Sequence, residues 1–382
     1  MQLVKLKEVV MRVKDKIDKD STNLEYYIGG EHIDSGELCI TRKGKIEGST
    51  IGPAFHMHFM PGDVLLMSRN PHLKKAGVVD FEGICSDVSY ICRTKNDEIL
   101  SQRYLPFIFQ TDHFWQFVEE NKKGGLPFFL NWSDFEKYEF PLPSIEKQRE
   151  LADLLWAAQN TKLSYIELLK QTEELVKSQF IEVINPLFEE RKTVSLNDLI
   201  KIGRPITYGI LKPGTGFPGG IPVVKVKDMQ NGIIDESDLL LTSPEIDAQY
   251  QRSKLSKGDL LISIRGSVGR MAIVPESLEG ANITQDTARL TIDESFNSLY
   301  VRGVLESAPL QTEMERNIRG VAVKGINISF LRELQIPMCD RYTQDRLADF
   351  YKQSDKSKFE IKKAIENINV MMKSLIEQNY NK

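Results

Sequence analysis

No run of 18 apolar residues occurs in the chain, so the sequence offers no candidate for a membrane-spanning helix. The opening residues, Met1-Gln-Leu-Val-Lys-Leu-Lys-Glu8, lack the apolar core of a secretion signal. Cysteine is scarce: Cys39, Cys85, Cys92 and Cys339 show neither a disulfide rhythm nor metal-ligand spacing, and reduced thiols in the cytoplasm are the expectation. Histidine is missing from the second half, all five residues lying at positions 32, 56, 58, 72 and 113. His56 and His58 would share a strand face, but no cysteine or second histidine pair completes a ligand set nearby. No glycine loop ends in Lys-Ser/Thr; Pro213-Gly-Thr-Gly-Phe-Pro-Gly-Gly220 lacks the phosphate-gripping lysine. The Asn/Asp-Pro-Pro-aromatic loop that grips a flipped base in amino-methyltransferases is absent too. Asn70-Pro-His-Leu73 and Asn185-Pro-Leu-Phe188 both lack the second proline, and the latter reads as a helix stop. Nucleotide hydrolysis, metal chemistry and base methylation by this chain are all disfavoured.

What is present is a duplication. Residues about 58–350 overlay themselves at a constant offset of 196. Gly62, Asp63, Leu65 and Arg69 return as Gly258, Asp259, Leu261 and Arg265. Asn131, Ser133 and Pro141 return as Asn327, Ser329 and Pro337, and Gln148, Leu151, Ala152, Asp153 and Lys162 as Gln344, Leu347, Ala348, Asp349 and Lys358. Solenoid units run to about 20–50 residues, so this is a duplicated module. At 382 residues the chain has room for two or three domains.

Charge follows the same plan. The net charge of −4 argues against indiscriminate nucleic-acid binding. Yet the acid-free window between Asp63 and Asp80 holds Arg69, Lys74 and Lys75, and its duplicate, Asp259 to Glu276, holds Arg265 and Arg270. Between Asp198 and Asp228 lie Lys201, Arg204, Lys212, Lys225 and Lys227 with no acid among them. An acidic protein can carry a local phosphate-binding surface in this way. Asp63 and Asp259 each follow a glycine and open an apolar strand, so a turn-forming role is expected.

The order along the chain is globular, helical, globular, helical. Strands are predicted at Phe55–Phe59, Val64–Ser68, Ile221–Val226 and Asp259–Ile264. Each globular part closes on a proline hinge, Pro141-Leu-Pro143 and Pro337-Met-Cys339, and helices are predicted over about 145–184 and 341–378. Steps of four and three place Leu151, Leu155, Ala158, Lys162, Tyr165, Leu169, Thr172 and Val176 in one row. They place Leu347, Tyr351, Ser354, Lys358, Ile361, Ile365, Ile368 and Met372 in the other. This is the seam of a coiled coil, with a register-setting lysine in each row. Forty helical residues span about 60 Å, enough for a rigid spacer.

These features together resemble the specificity (S) subunits of Type I restriction-modification enzymes. The resemblance rests on Phe140-Pro-Leu-Pro-Ser-Ile-Glu-Lys-Gln-Arg-Glu-Leu-Ala-Asp153, Leu334-Gln-Ile-Pro337 and Gln344-Asp-Arg-Leu-Ala-Asp349. Thr207-Tyr-Gly-Ile210 with Gly220-Ile-Pro-Val-Val-Lys-Val-Lys-Asp-Met229, and Tyr27-Ile-Gly-Gly-Glu-His32, are similar to target-recognition openings of that family. One departure is the second hinge, Pro-Met-Cys-Asp in place of Pro-x-Pro. The resemblance implies an α+β fold: two mixed α/β target-recognition domains, 1–143 and 191–339, and two antiparallel coiled-coil spacer helices, 144–190 and 340–382, related by a pseudo-two-fold duplication. It implies a chain with no catalytic residue, metal or cofactor, which binds double-stranded DNA, two methyltransferase subunits and, through them, restriction subunits. Arg69, Lys74, Lys75, Arg204, Tyr208, Lys212, Lys225, Lys227, Arg265 and Arg270 are the expected DNA contacts. Leu151, Leu155, Lys162, Leu169, Leu347, Tyr351, Lys358 and Ile365 are the expected helix-seam and partner-docking residues. A subunit of a related enzyme that cuts both sides of its site would look alike, and a self-contained methyltransferase or nuclease is the more distant alternative.

Overall fold

Alternate residues of the strand Val64–Met67 point into two different cores. Val64 and Leu66 join Phe107, Phe114 and Tyr138 on one face, while Leu65 and Met67 join Ile28, Phe59 and Ile91 on the other. The strand Leu260–Ser263 repeats this division, with Leu260 and Ile262 beside Tyr300 and Leu261 beside Val224 and Ile283. A continuous apolar run is what a strand with both faces covered requires, since side chains alternate with a period of two.

These strands anchor two units in the computed structural model, which describes residues 2–230, 232–320 and 324–380. Unit 1 comprises Met1–Tyr165 with Lys363–Lys382, and unit 2 is Ile166–Lys362. In unit 1 an antiparallel sheet runs in the order Val10–Val13, Ser89–Thr94, Val64–Met67, Ala76–Val78. In unit 2 the same order is kept by Thr207–Tyr208, Thr287–Leu290, Leu260–Ser263 and Met271–Ile273. Each unit adds a second sheet with one parallel pair, Tyr27 against Ile84 and Val223 against Asn282. The fold is thus mixed helix and sheet, duplicated, with two long helices.

Those helices are Ile145–Glu189 and Arg341–Tyr380, and the division between the units falls inside both. Asn185-Pro186 does not stop the first of them, contrary to the expectation; Pro186 is inside the last turn. Proline there forgoes the one backbone bond to the Glu182 carbonyl, while its own carbonyl still accepts from the Glu190 backbone at 2.9 Å.

The apolar stripe is shared between two tasks. In unit 1, Leu151, Ala152, Leu155 and Ala158 enter the domain core, which Met372 and Ile376 also join. In unit 2, Leu347 and Tyr351 enter the domain core with Val176, Phe180 and Ile184, and the Phe180 ring meets Tyr351 edge-on at 5.9 Å. Farther along, Leu169 and Ile365 are half-buried. The register-setting role expected of the two lysines is replaced by other partners. Lys162 reaches Glu37 of its own domain at 3.1 Å, and Lys358 pairs with Asp355 one turn away at 2.6 Å. A buried ammonium needs a carboxylate more than a seam position, and in unit 1 the nearest one belongs to the domain.

Both helices leave their hinges through one duplicated lock. Gln148 is buried; its Oε1 accepts from the Ser101 backbone at 2.9 Å and its Nε2 donates to the Pro143 carbonyl at 2.9 Å. Gln344 repeats this with the Asn297 backbone at 3.0 Å and the Cys339 carbonyl at 2.9 Å. Only the backbone of residue 339 is used, which is why cysteine can stand where the first hinge has proline.

Candidate nucleic-acid interface

The turns that launch the central strands are built on glycine and aspartate. Gly62 and Gly258 have φ of +90° and +83°, a region that disfavours any side chain. Asp63 accepts from the Met60 backbone at 2.9 Å and Asp259 from Ser256 at 2.8 Å, so both are turn residues. Each is only 2% exposed and therefore needs a cation. Arg93 gives Asp63 two bonds, at 2.7 and 2.8 Å. For Asp259 the partner is Arg204, at 2.8 Å, with the Thr291 hydroxyl donating at 2.6 Å. Arg289, which stands where Arg93 does, is buried beside them; burial, then the Arg204 charge, hold its pKa below the usual arginine value.

Arg204 is thereby removed from the expected set of free contacts. Its Nε donates to Thr291 Oγ1 and its Nη2 also to the Lys254 carbonyl, both at 3.0 Å. Lys75 donates to the Gly30 carbonyl, and Lys227 is paired with Asp238 at 3.2 Å, which raises its pKa. The other candidates remain available. Arg69, Lys74, Lys212 and Arg270 are exposed and Lys225 half-exposed, none with a carboxylate in ion-pair range among the described residues. Arg265 is exposed and donates to Gln285 Oε1 at 2.9 Å, and Tyr208 is about half exposed on an edge strand.

Arg69 and Arg265 lie at the base of a second duplicated device, which the sequence reading passed over. The backbones of Lys123 and Phe129 exchange two hydrogen bonds, at 2.7 and 2.9 Å, and those of Arg319 and Gly325 exchange two, at 2.8 and 3.0 Å. Leu130 donates to the Ser68 carbonyl at 2.8 Å and Ile326 to Ile264 at 2.9 Å, tying each hairpin to its central strand. Gly124 and Gly320, with φ of +87° and +106°, follow the first cation in both. Arg319 and Lys324 are exposed and have no side-chain partner among the described residues. The offset of 196, applied to Lys123, would have found Arg319.

Acid–base and nucleophilic chemistry find little here. All four thiols are pushed up, chiefly by burial, Cys85 to about 12. No cluster of three His, Cys, Asp or Glu side chains arranged to hold a metal exists among the described residues. His58 instead sits between two carboxylates, Nδ1 to Asp15 at 2.7 Å and Nε2 to Glu82 at 2.8 Å. Burial alone would lower its pKa; the hydrogen bonds to Asp15 and Glu82 outweigh it and the pKa is raised. Bonding to His58 lowers that of Asp15. The imidazolium's contribution is complete below the ordinary histidine value of about 6.5 and fades as pH rises through the raised one. The Asp15 contribution is present above about 4 and fades on acidification. Unit 1 is therefore expected to resist urea better at pH 6 than at pH 9, and His58→Asn to flatten that difference. An unchanged profile in the variant would rule the clamp out.

A cleft of about 850 Å³ in unit 2 adjoins Arg270, Phe180, Arg302, Tyr351 and Lys358. Its floor is an ion network: the buried Arg302 meets Glu306 at 3.0 Å and Asp355 at 3.5 Å and lies over the Tyr351 ring at 4.8 Å. Those contacts fasten the second long helix to its domain.

Comparison with known proteins bears on the whole arrangement. Residues 189–369 match the family model of the Type I restriction modification DNA specificity domain. Over 197 residues the chain is 28% identical to the Type I restriction enzyme EcoBI specificity subunit of Escherichia coli; the match covers 50% of this chain and 41% of that protein. The chain therefore spans less than half the length of this curated relative. Among solved structures, the Type-I restriction-modification system S subunit from M. genitalium aligns with a TM-score of 0.58 at 11% identity, covering 99% of this chain and 96% of the other. A chain from a structure of complex assembly and conformational transition of a type I R-M system aligns with a TM-score of 0.56 at 18% identity, over 99% and 97%. At such identities these two likenesses speak to the fold alone. The mixed fold with two long helices, expected from the sequence, is the fold they share.

Proposed function

We propose, from the match of residues 189–369 to the model of the Type I restriction modification DNA specificity domain, that this chain is the sequence-reading subunit of a restriction-modification enzyme and carries no catalysis itself. Each unit reads one half of a split, asymmetric double-stranded DNA target. The free cations of the loops, Arg69 and Lys74 in unit 1 and Lys212, Lys225, Arg265 and Arg270 in unit 2, meet phosphates or base edges. Tyr208 lies on the same unit as the second group. The long helices set the gap between half-sites, since half-site spacing on a duplex follows protein geometry. They also dock two methyltransferase subunits, which supply S-adenosylmethionine chemistry and recruit the restriction subunits; Leu169 and Ile365, beyond the domain cores, are the stripe residues left for that contact.

The observation that carries this reading is a kept frame with divergent contents. The Gly-Asp turns, the hinge glutamines and the hairpin hydrogen bonds coincide at one offset, while the loops they support differ in sequence. Two related but unlike surfaces suit an asymmetric two-part target better than a palindrome. The test is to co-express the chain with its methyltransferase and map methylated bases across the host genome. One two-part motif with a fixed unspecified gap is expected. Methylation that does not depend on this chain, or that marks an uninterrupted palindrome, overturns the proposal.

A further inference from the structure

The two hairpins share hydrogen bonds and glycines but differ in the side chains at their described frame positions. At the base of the unit 1 hairpin the cations are already occupied, Lys123 by Asp134 at 2.5 Å and Lys122 by Glu119. Asp134 has its pKa held at about 2 by hydrogen bonds from Lys123 and then Lys137. What faces outward is Leu126, 88% exposed, next to a Gly125 that has only open space around it. Phe129 is exposed three residues on, with Arg69 lying over its ring at 5.9 Å, and the Asn70 backbone donates to the Phe128 carbonyl at 2.8 Å. In unit 2 the corresponding frame positions present Arg319 and Lys324.

A single exposed leucine on a soluble protein is ordinary. One held out at the tip of a hairpin whose frame is duplicated, with an arginine fixed at its base, is in the position of a reading side chain. A two-stranded ribbon fits the major groove, and the thymine 5-methyl is the apolar group that base edges expose there. Resting on the reading of unit 1 as the recogniser of one half-site, we infer that the hairpin Lys123–Phe129 enters the major groove and packs Leu126 against a thymine methyl group. Arg69 at its base contacts the backbone, which positions the hairpin without specifying a base. The counterpart in unit 2, cationic at its frame, reads by hydrogen bonding and charge.

The test uses the complete methyltransferase complex on its mapped target, with deoxyuridine replacing thymine one position at a time through both half-sites. Removing the buried methyl should weaken binding roughly fourfold at one position. Leu126→Ala, which alters no folded core, should weaken binding to the thymine duplex on the order of tenfold and be indifferent to deoxyuridine at that position. The inference is overturned if no deoxyuridine weakens the parent complex, if the alanine variant binds as tightly as the parent, or if the variant keeps the full deoxyuridine penalty. A target with no thymine in either half-site overturns it as well. A parent complex that cannot tell its target from a scrambled duplex takes down the underlying half-site reading, and this inference with it.

Discussion

Replacing Asp259 by alanine should cost unit 2 about 3–5 kcal/mol, the penalty for stranding a buried charge whose partner has been removed. The carboxylate is almost wholly buried, accepts from Arg204, Thr291 and the Ser256 backbone, and has the buried Arg289 beside it. Taking it away leaves two guanidinium groups close together with no counter-charge and removes the acceptor that closes the Gly258 turn. Urea unfolding of the parent and variant measures the loss. Asp63→Ala should cost unit 1 less, because Arg93, which loses both its bonds, is 37% exposed and can turn to solvent. Arg204→Leu combined with Asp259→Leu should recover only part of the stability, because the buried Arg289 still lacks its counter-charge. A cost below 1 kcal/mol for Asp259→Ala would mean that neither the ion pair nor the turn bond of this carboxylate stabilises unit 2.

The second large effect concerns salt. Arg265, Arg270, Arg319 and Lys324 are exposed in unit 2, and none is held by a carboxylate among the described residues. Each phosphate neutralised contributes about 0.9 to the slope of log affinity against log salt. Changing all four to glutamine should flatten that slope by about 3 to 4 and lower affinity at moderate salt by several orders of magnitude. Folding should be untouched, since no core contact is lost, and recognition of the half-site read by unit 1 should persist. An unchanged slope would place these cations away from the backbone of the duplex.

Much of the frame was legible because local rules determined it. Apolar runs at Val64–Met67 and Leu260–Ser263 could only be strands covered on both faces, and steps of four and three could only be long helices. The Gly-Asp pairs announced turns. What local rules miss is the identity of distant partners. A stripe of leucines specifies an apolar face, not whether a domain or another helix covers it, so Leu151 and Leu347 were legible as buried but not by what. Lys162 finds Glu37 across 125 residues, and Arg204 finds Asp259 across 55. Counting cations in an acid-free loop does not reveal that a carboxylate from elsewhere has claimed one. Leu126 carried no signal at all, because exposure is a property of the folded surface.

The division that falls within both long helices also bears on synthesis. Unit 2 is one unbroken stretch, Ile166–Lys362, whereas unit 1 takes its last segment from Lys363 onward. Met372 and Ile376 belong to the core that Leu151 and Leu155 begin. On the ribosome, the domain translated first therefore cannot complete its packing first. It must wait, with part of its core open, until the final turns emerge, by which time unit 2 has everything it needs.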